Sequence, residues 1–587
     1  MNKLLQKKYY FITFLLSLLC RMIRIAHVYQ MRLLSDDIGM LGAAAYFAGY
    51  DWSDVVSHTK YYGIVYHMFF APVLRLVDNP TTIWFIILST NIVLISVTCT
   101  FVFHIGVKYL AMPNDFITAA FSIISSYVVN SDRNMSQEPI LFFLTWLMAY
   151  LFIKFTNSNK KMLCIFLFLG VAIYAYLVHT RAIVFVIAIV GTLFFYIIQH
   201  KESTQKVKKI LFILLAAFAT VLIASLLKDF IIQLIWKTSE PIANSEIPLN
   251  SSVLRMLSLK GILVCFDMFI SNMVVTSNRL LGINSIALIF AVILMFGSWK
   301  NIEEKLNIGE IKILLFIFSF ICFFVGICGT SVVWGKGVVS TYLTDEVTYS
   351  YKGFTYYRYY ATFFGPAIFV SLNECASNKK FRSIIQIPAI SLQAFIYIYF
   401  FAAVVGRIEN GANNRGRVQY VTFSGSGLDM LNYWLSALIA FGVLIVLLVL
   451  MSRSAYSKFI AVQCLLITVW PYLRNLENGF FTQPQLNTAA DAGYELFLEL
   501  ERQDCVPENI YCNTVNRSYS YQFQLKKYPI KVGYPDEECV AVIFTVSDER
   551  NEYIDDNYIC LKLDNNEYMW TNSSSVYDVA TAWLEAK

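Results

Sequence analysis

"SDDIGMLGAAAYFAGYDWSDVVSHTKYYGIVYHMFFAPVL", residues 35–74, opens with two adjacent carboxylates, Asp36 and Asp37, and continues in largely apolar sequence. An apolar segment, Tyr9 to Tyr29, precedes it, and a longer one begins near residue 82. Ionised groups lodged between membrane-length apolar segments are costly unless they face water, a partner or a task. The stretch therefore reads as the core of a first membrane loop, residues 30–80, with a reaction centre at the membrane surface.

The rest of the chain agrees with that placement. Of 587 residues, 57% are hydrophobic and only 15% charged, which repeatedly supplies the roughly 20-residue apolar runs that cross a bilayer. Spans are expected near 9–29, 82–107, 114–130, 139–155, 162–180, 182–199, 210–227, 284–299, 312–333, 360–376, 383–405, 430–451 and 456–473, about 13 in all. The first carries Arg21 and Arg24 and lacks a small-residue cleavage site, so it reads as a retained span rather than a secretory signal. Residues 228–281, with "WKTSEPIANSEIPLN" inside them, read as an outer loop plus an amphipathic helix lying in the interface.

Charge divides the chain. Residues 1–474 carry a net +17 and residues 475–587 a net −11. The first part is expected to be a membrane domain and the second a soluble one. Lys3, Lys7 and Lys8 place the amino terminus in the cytoplasm, and later lysine-rich loops alternate in step. Asp36, Asp37, Glu138, Arg181 and Arg358 then share the outer face, and the terminal domain lies outside the cell membrane. The basic residues are dispersed between spans with no dense stripe, which points to the lipid bilayer as partner and away from nucleic acid.

Within 475–587, "TAADAGYELFLELER" has helical spacing, while "NIYCNTV", "CVAVIFTV" and "YICLKL" are β-rich runs bounded by turn residues. A small α/β domain is expected. Its Cys505, Cys512, Cys539 and Cys560 allow two disulfides in three connectivities, or four free thiols.

At an outer membrane face a sugar preloaded on polyprenyl phosphate supplies a donor with a good leaving group. Such a reaction needs a carboxylate to take the acceptor's proton and cations to stabilise the departing phosphate. Asp36 or Asp37 suits the first role, Arg181 and Arg358 the second. Arg181 also fits a snorkelling anchor, and the tyrosines around Arg358 also fit an interfacial belt. His58, His67 and His179 have no companion at metal-ligand spacing. No cofactor is expected; a divalent ion shared by Asp36, Asp37 and Glu138 is the less favoured alternative.

The segment "SDDIGMLGAAAYFAGYDW", followed by "YYGIVYHMFFAPVLRLVDNPTTIWFIILSTNIVL", resembles the amino-terminal part of bacterial GT-C fold glycosyltransferases, the superfamily that includes protein O-mannosyltransferases and aminoarabinose transferases. In that superfamily an acidic pair, commonly Asp-Glu, opens the first outer loop and its first Asp is the catalytic base. The resemblance makes Asp36 the base and Asp37 its neighbour, with Asp in place of the usual Glu. "SDRNMSQEPILFF", "YLVHTRAIVFV" and "FTYYRYYATFFGP" are similar to further family segments and carry Glu138, Arg181 and Arg358; the last resembles a Tyr-Gly-Arg-Tyr motif with Tyr357 replacing Gly.

The combined expectation is a polytopic α-helical membrane protein, GT-C-like, with a small C-terminal α/β domain. It would act as an inverting glycosyltransferase using a polyprenyl-phosphate-linked sugar and an envelope acceptor. Asp36 and Asp37 would be catalytic, Arg181 and Arg358 would bind donor phosphate, and Glu138, Tyr61, Tyr62, His179 and Tyr357 would contact substrate. A flippase or exporter, or a polymerase or ligase of lipid-linked glycans, is the alternative.

Overall fold

The structure is a computed structural model and describes residues 3–25, 33, 35–59, 61, 63–112, 114–129, 135–199, 206–236, 256–297, 304, 306–335, 337–339, 342, 353–354, 356–405, 430–450, 458–466, 491–535, 539–549, 554–564 and 567–587. Its first part is helical throughout: α1 (Lys3–Ile25), α2 (Ser35–Ala48), α3 (Ser53–Ser57), α4 (Ala71–Leu76), α5 (Pro80–Lys108), α6 (Asp115–Ser126), α7 (Glu138–Asn157), α8 (Lys161–Val178), α9 (Ile183–Gln199), α10 (Lys206–Ile235), α11 (Leu259–Leu280), α12 (Ile283–Phe296), α13 (Glu310–Gly335), α14 (Arg358–Ala361), α15 (Gly365–Ser377), α16 (Lys379–Tyr399) and α17 (Met430–Leu450). Lipid offers no hydrogen bonds to an open backbone, so long Ile, Leu, Phe and Val runs close their bonds internally as helices.

Among the described residues, eight helices are long and apolar enough to cross a membrane: α5, α7, α8, α9 with its preceding turn, α10, α11, α13 and α16 with its following turn. Three shorter apolar stretches, Asp115–Ser126, Ile283–Phe296 and Trp434–Val449, accompany them. The expected span at 360–376 is a single helical turn, a 3-10 turn at Thr362–Phe364 and the 13-residue α15. Polar punctuation sets the starts: Asn79 accepts from Thr82 N with Pro80 behind it, and Asn114 accepts from Ile117 N. Arg21 on α1 is fully buried and donates to Ser126 O at 2.9 Å. It thus serves the end of α6, where carbonyls lack helical partners.

The region 228–281 departs from the sequence reading. α10 runs on to Ile235, and α11 is a 22-residue buried helix rather than an interfacial one. The interruptions that suggested amphipathicity, Asn272, Thr276, Ser277 and Asn278, are buried against protein. Ser277 Oγ donates to Asn284 Oδ1 (2.9 Å) and to Gln393 Oε1 (3.1 Å), and Tyr360 Oη donates to Asn272 Oδ1 (2.9 Å). Polar residues are tolerated at membrane depth when neighbouring helices satisfy them in this way. α11 also leaves the direction of the chain unchanged. Gly335 packs on Met256 and Val264, Phe324 on Phe269 and Phe316 on Phe290. α11 and α12 therefore run one way along α13, broken by left-handed residues Leu281 (φ 57°) and Gly282 (φ 75°).

The second part holds α18 (Asp491–Arg502), β1 (Asn509–Cys512), α19 (Val515–Gln524), β2 (Ile530–Val532), β3 (Ala541–Thr545), β4 (Ile559–Asp564), β5 (Glu567–Thr571) and α20 (Ser574–Ala586). The sheet order is β2-β1-β3-β5-β4, parallel across β2-β1-β3 and antiparallel beyond. β3 is buried along its whole length, which explains the continuous apolar run "AVIFT". Cys505, Cys512, Cys539 and Cys560 form no disulfide.

This α/β domain docks on the loop that follows α2. Trp52 Nε1 donates to Lys526 O (2.9 Å), Val532 N to Asp54 Oδ1 (3.0 Å) and Tyr519 Oη to His58 O (3.3 Å). Lys526, buried, donates through Nζ to Leu74 O (2.8 Å) and to Val77 O, closing the carbonyl end of α4, and lies 3.4 Å from Asp78.

Candidate active site

Asp36 and Asp37 occupy the first turn of α2, where the positive helix end favours carboxylates. Asp37 is buried, whereas the Asp36 side chain keeps 23% of its surface exposed. Arg358, at the head of α14, donates through Nη2 to Asp36 Oδ2 at 3.2 Å across 322 residues of chain. A second pair stands beside the first. Glu138 begins α7 ahead of Pro139, and its Oε1 accepts from Arg181 Nη2 at 2.6 Å. Arg181 sits in the single 3-10 turn Thr180–Ala182 between α8 and α9.

The ring of Tyr359 joins the pairs. The Arg181 guanidinium lies over it at 5.4 Å and the Arg358 guanidinium at 5.8 Å; Arg358 also lies 5.2 Å from the Tyr356 ring. The electron-rich faces attract both cations and hold them together despite like charge. Partial desolvation works against the charge of Arg358, but Tyr356, Glu138, Tyr359 and Asp36 outweigh it and push its pKa well above the ordinary arginine value. Four polar atoms here, Glu138 Oε2, Arg181 Nε, Arg181 Nη1 and Arg358 Nε, are buried without a hydrogen-bond partner. Such atoms are expensive to leave unmatched, and three of the four are donors.

The loop between α3 and α4 fastens this arrangement. Ile64 N donates to Leu177 O (3.0 Å), and Gln137 Nε2 donates to Gly63 O (3.0 Å). Gly63 (φ +114°) passes so close to the end of α8 that a Cβ would stand 2.3 Å from Val178 O, so only glycine fits. His67 is fully buried; its Nε2 donates to Met135 O at 2.8 Å, three residues before Glu138. Burial pushes the His67 pKa down to about 4, and the ring is neutral at physiological pH. His179 is also buried, and burial together with Arg181 depresses its pKa well below the usual value. Its Nδ1 accepts from Arg181 N at 3.2 Å, which puts the ring proton on Nε2.

The structure thus brings together Asp36, Glu138, His179, Arg181 and Arg358, with Asp37 buried next to Asp36 in the chain. It does not bring Tyr357 to them. Tyr357 is fully buried, meets Tyr360 edge to face at 5.8 Å and lies within the field of Arg279 on α11. Tyr61 packs on Trp236, the residue after α10, at 5.5 Å. Tyr62 lies outside the described residues. The sequence reading missed Tyr356 and Tyr359 as arginine partners. Residues three apart on a helical turn share a face, so the 356/359 pair faces the cations and the 357/360 pair faces the core.

Tyr519 of the α/β domain also belongs to this neighbourhood. Burial, with the charge of Asp36 adding, pushes its pKa up to about 12. Among the described residues no group of three or more His, Cys, Asp or Glu is arranged to hold a metal ion. Neither a known protein family nor a curated protein matches the chain.

Proposed function

We propose that this protein is an inverting glycosyltransferase that moves a sugar from a polyprenyl-phosphate donor to an acceptor hydroxyl at the outer face of the cytoplasmic membrane. The observation that carries the reading is the Asp36–Arg358 contact at 3.2 Å. It sets a partly exposed carboxylate next to a guanidinium, beside a second guanidinium held by Glu138.

Asp36 takes the proton from the acceptor hydroxyl as that oxygen attacks the anomeric carbon from the face opposite the phosphate. The anomeric C–O bond breaks, and its electron pair leaves on the lipid phosphate, whose charge rises by one. Arg358 and Arg181 meet that charge with donors already in place, so little reorganisation is needed at the transition state. Arg358 exchanges Asp36 for the incoming phosphate, which frees the carboxylate as a base when the donor is bound. The Glu138–Arg181 pair stays closed and orients the second guanidinium. Asp37 sets the local charge, and Tyr519 borders the acceptor side.

The test is sugar transfer from a polyprenyl-phosphate donor in membranes carrying Asp36→Asn at matched protein level. Loss of transfer with accumulation of the charged lipid supports the reading; unchanged transfer overturns it. Supplying a diphosphate-linked oligosaccharide separates it from a polymerase or ligase.

A further inference from the structure

At the far end of α2 the chain makes a second feature that the reaction scheme leaves unused. α2 stops in a left-handed turn: Gly49 (φ +89°) donates to Tyr46 O, and Tyr50 N donates to Ala45 O at 2.9 Å. The reversal swings residues 50–53 back over the helix and against the end of α10. Gly42 permits close approach there, since a Cβ would meet Val56 at 2.9 Å. Between these elements lies a cavity of about 450 Å³ lined by Tyr46, Tyr50, Asp51, Trp52, Ser53 and Trp236, with Gly42, Gly49 and two aliphatic residues. That volume falls in the range of small-molecule sites.

We infer that this cavity is a saccharide-binding subsite, for a neutral or amino-bearing sugar. The aromatic side chains of Tyr46 and Tyr50 suit the apolar C–H faces of a pyranose, and the Asp51 carboxylate suits its hydroxyls. Asp51 Oδ1 accepts from Ser53 N (3.0 Å) and Ser53 Oγ (2.5 Å), which orients the carboxylate. The lining holds one carboxylate and no Lys or Arg, so a phosphate or uronate is disfavoured. Trp52 forms the wall toward the α/β domain through its bond to Lys526 O.

Asp36 and Tyr46 are ten residues apart on α2, about 15 Å along its axis. An acceptor of a few sugar units bridges the two. That role rests on the transferase reading; the binding itself does not.

The test titrates purified full-length protein in nanodiscs with cellotriose, a glucosamine trimer, a galacturonic acid trimer and tetramethylammonium, read by tryptophan fluorescence and saturation-transfer NMR. Expected is saturable binding of the neutral or amino trimer, with the uronate weaker. Tyr50→Leu, Asp51→Asn and Tyr46→Leu should each weaken it about tenfold, as for one lost hydrogen bond or aromatic contact. Tyr46 is 46% exposed, so its substitution leaves folding intact. Absence of saturable binding, binding indifferent to all three variants, or tetramethylammonium binding better than any sugar would overturn the inference. Asp36→Asn should keep full binding here, so a failed transfer assay and a failed pocket are distinguishable.

Discussion

The two ion pairs beside Tyr359 have the same chemistry and opposite settings. Glu138 and Arg181 meet at 2.6 Å with 4% and 11% of their side chains exposed. Asp36 and Arg358 meet at 3.2 Å with 23% and 21% exposed. The first pair is anchored from both sides: α7 supplies its helix start, and residues 63–67 tie Met135 and Gln137 to the end of α8. The second joins the first turn of α2 to a four-residue helix. A short buried pair is fixed and costly to break, while a longer, half-exposed one exchanges partners at little cost. The difference teaches where chemistry and where scaffolding reside.

Substitutions that separate the pairs should therefore divide their effects. On the proposed transferase reading Asp36→Asn removes the base and is expected to lower transfer by about 10²–10⁴ while shifting stability by less than about 1 kcal/mol. Transfer assays and thermal unfolding of the same preparation check both halves. Glu138→Ala should do the reverse in kind: it leaves Arg181 buried without its counter-ion and costs about 3–5 kcal/mol, read as lost expression or a lowered Tm. Equal destabilisation by both variants would erase the distinction.

The fixed half carries a pH signature. Burial is the main cause that lowers the folded His67 pKa to about 4, while Met135 O and Glu138 oppose it. On acidification the unfolded chain takes up the proton first, near 6.5. The stability contributed by neutral His67 is thus full above about 6.5 and drains as pH falls toward 4, by about 3 kcal/mol in total. His67→Gln should flatten the dependence of Tm on pH in that window; an unchanged slope would remove His67 from the scaffold.

The adjustable half depends on the docked α/β domain. Lys526→Met removes the ammonium that closes α4 and costs about 1–3 kcal/mol. Limited proteolysis should release the terminal domain faster. Trp52, donating one neutral bond to Lys526 O, should matter less, about 1 kcal/mol as Trp52→Phe.

Much of this was legible in the sequence where the signal is local. The apolar runs of α5, α7, α8, α9 and α13, the helix "DAGYELFLELER" and the strands at 509–512, 541–545 and 559–564 all follow from periodicity and composition. Asp36, Glu138, Arg181 and Arg358, expected on one face from charge alternation, lie near one another in the structure. What failed depends on partners far along the chain. Asn272, Ser277 and Asn278 look like a polar face until Tyr360 reaches the first, Asn284 and Gln393 the second and Tyr397 the third. β2, three residues long, and β5, which opens with buried Glu567, carry too little pattern to be seen. Glu567 is paired with Gly493 N at 3.0 Å, 74 residues away. The resemblance to a Tyr-Gly-Arg-Tyr motif singles out Tyr357, whereas the turn geometry decides which ring faces the cation, and it selects Tyr359.

That choice sets the smallest effect. Tyr359 bridges the two arginines through its ring alone, so Tyr359→Phe should leave transfer close to wild type, whereas Tyr359→Leu removes a cation–π contact from each guanidinium. A contact of this kind is worth about 0.5–1 kcal/mol when partly exposed. The loss falls on the less firmly held Arg358 more than on Arg181, which keeps its short bond to Glu138. The donor KM should then rise severalfold with a smaller change in kcat, because phosphate binding weakens before the base is disturbed. Tyr357→Leu, on the opposite face of the same turn, should instead lower stability and leave the donor KM unchanged. If the two leucine variants behave alike, the turn does not separate a cation face from a core face, and the link between the ion pairs has to be sought in Tyr356.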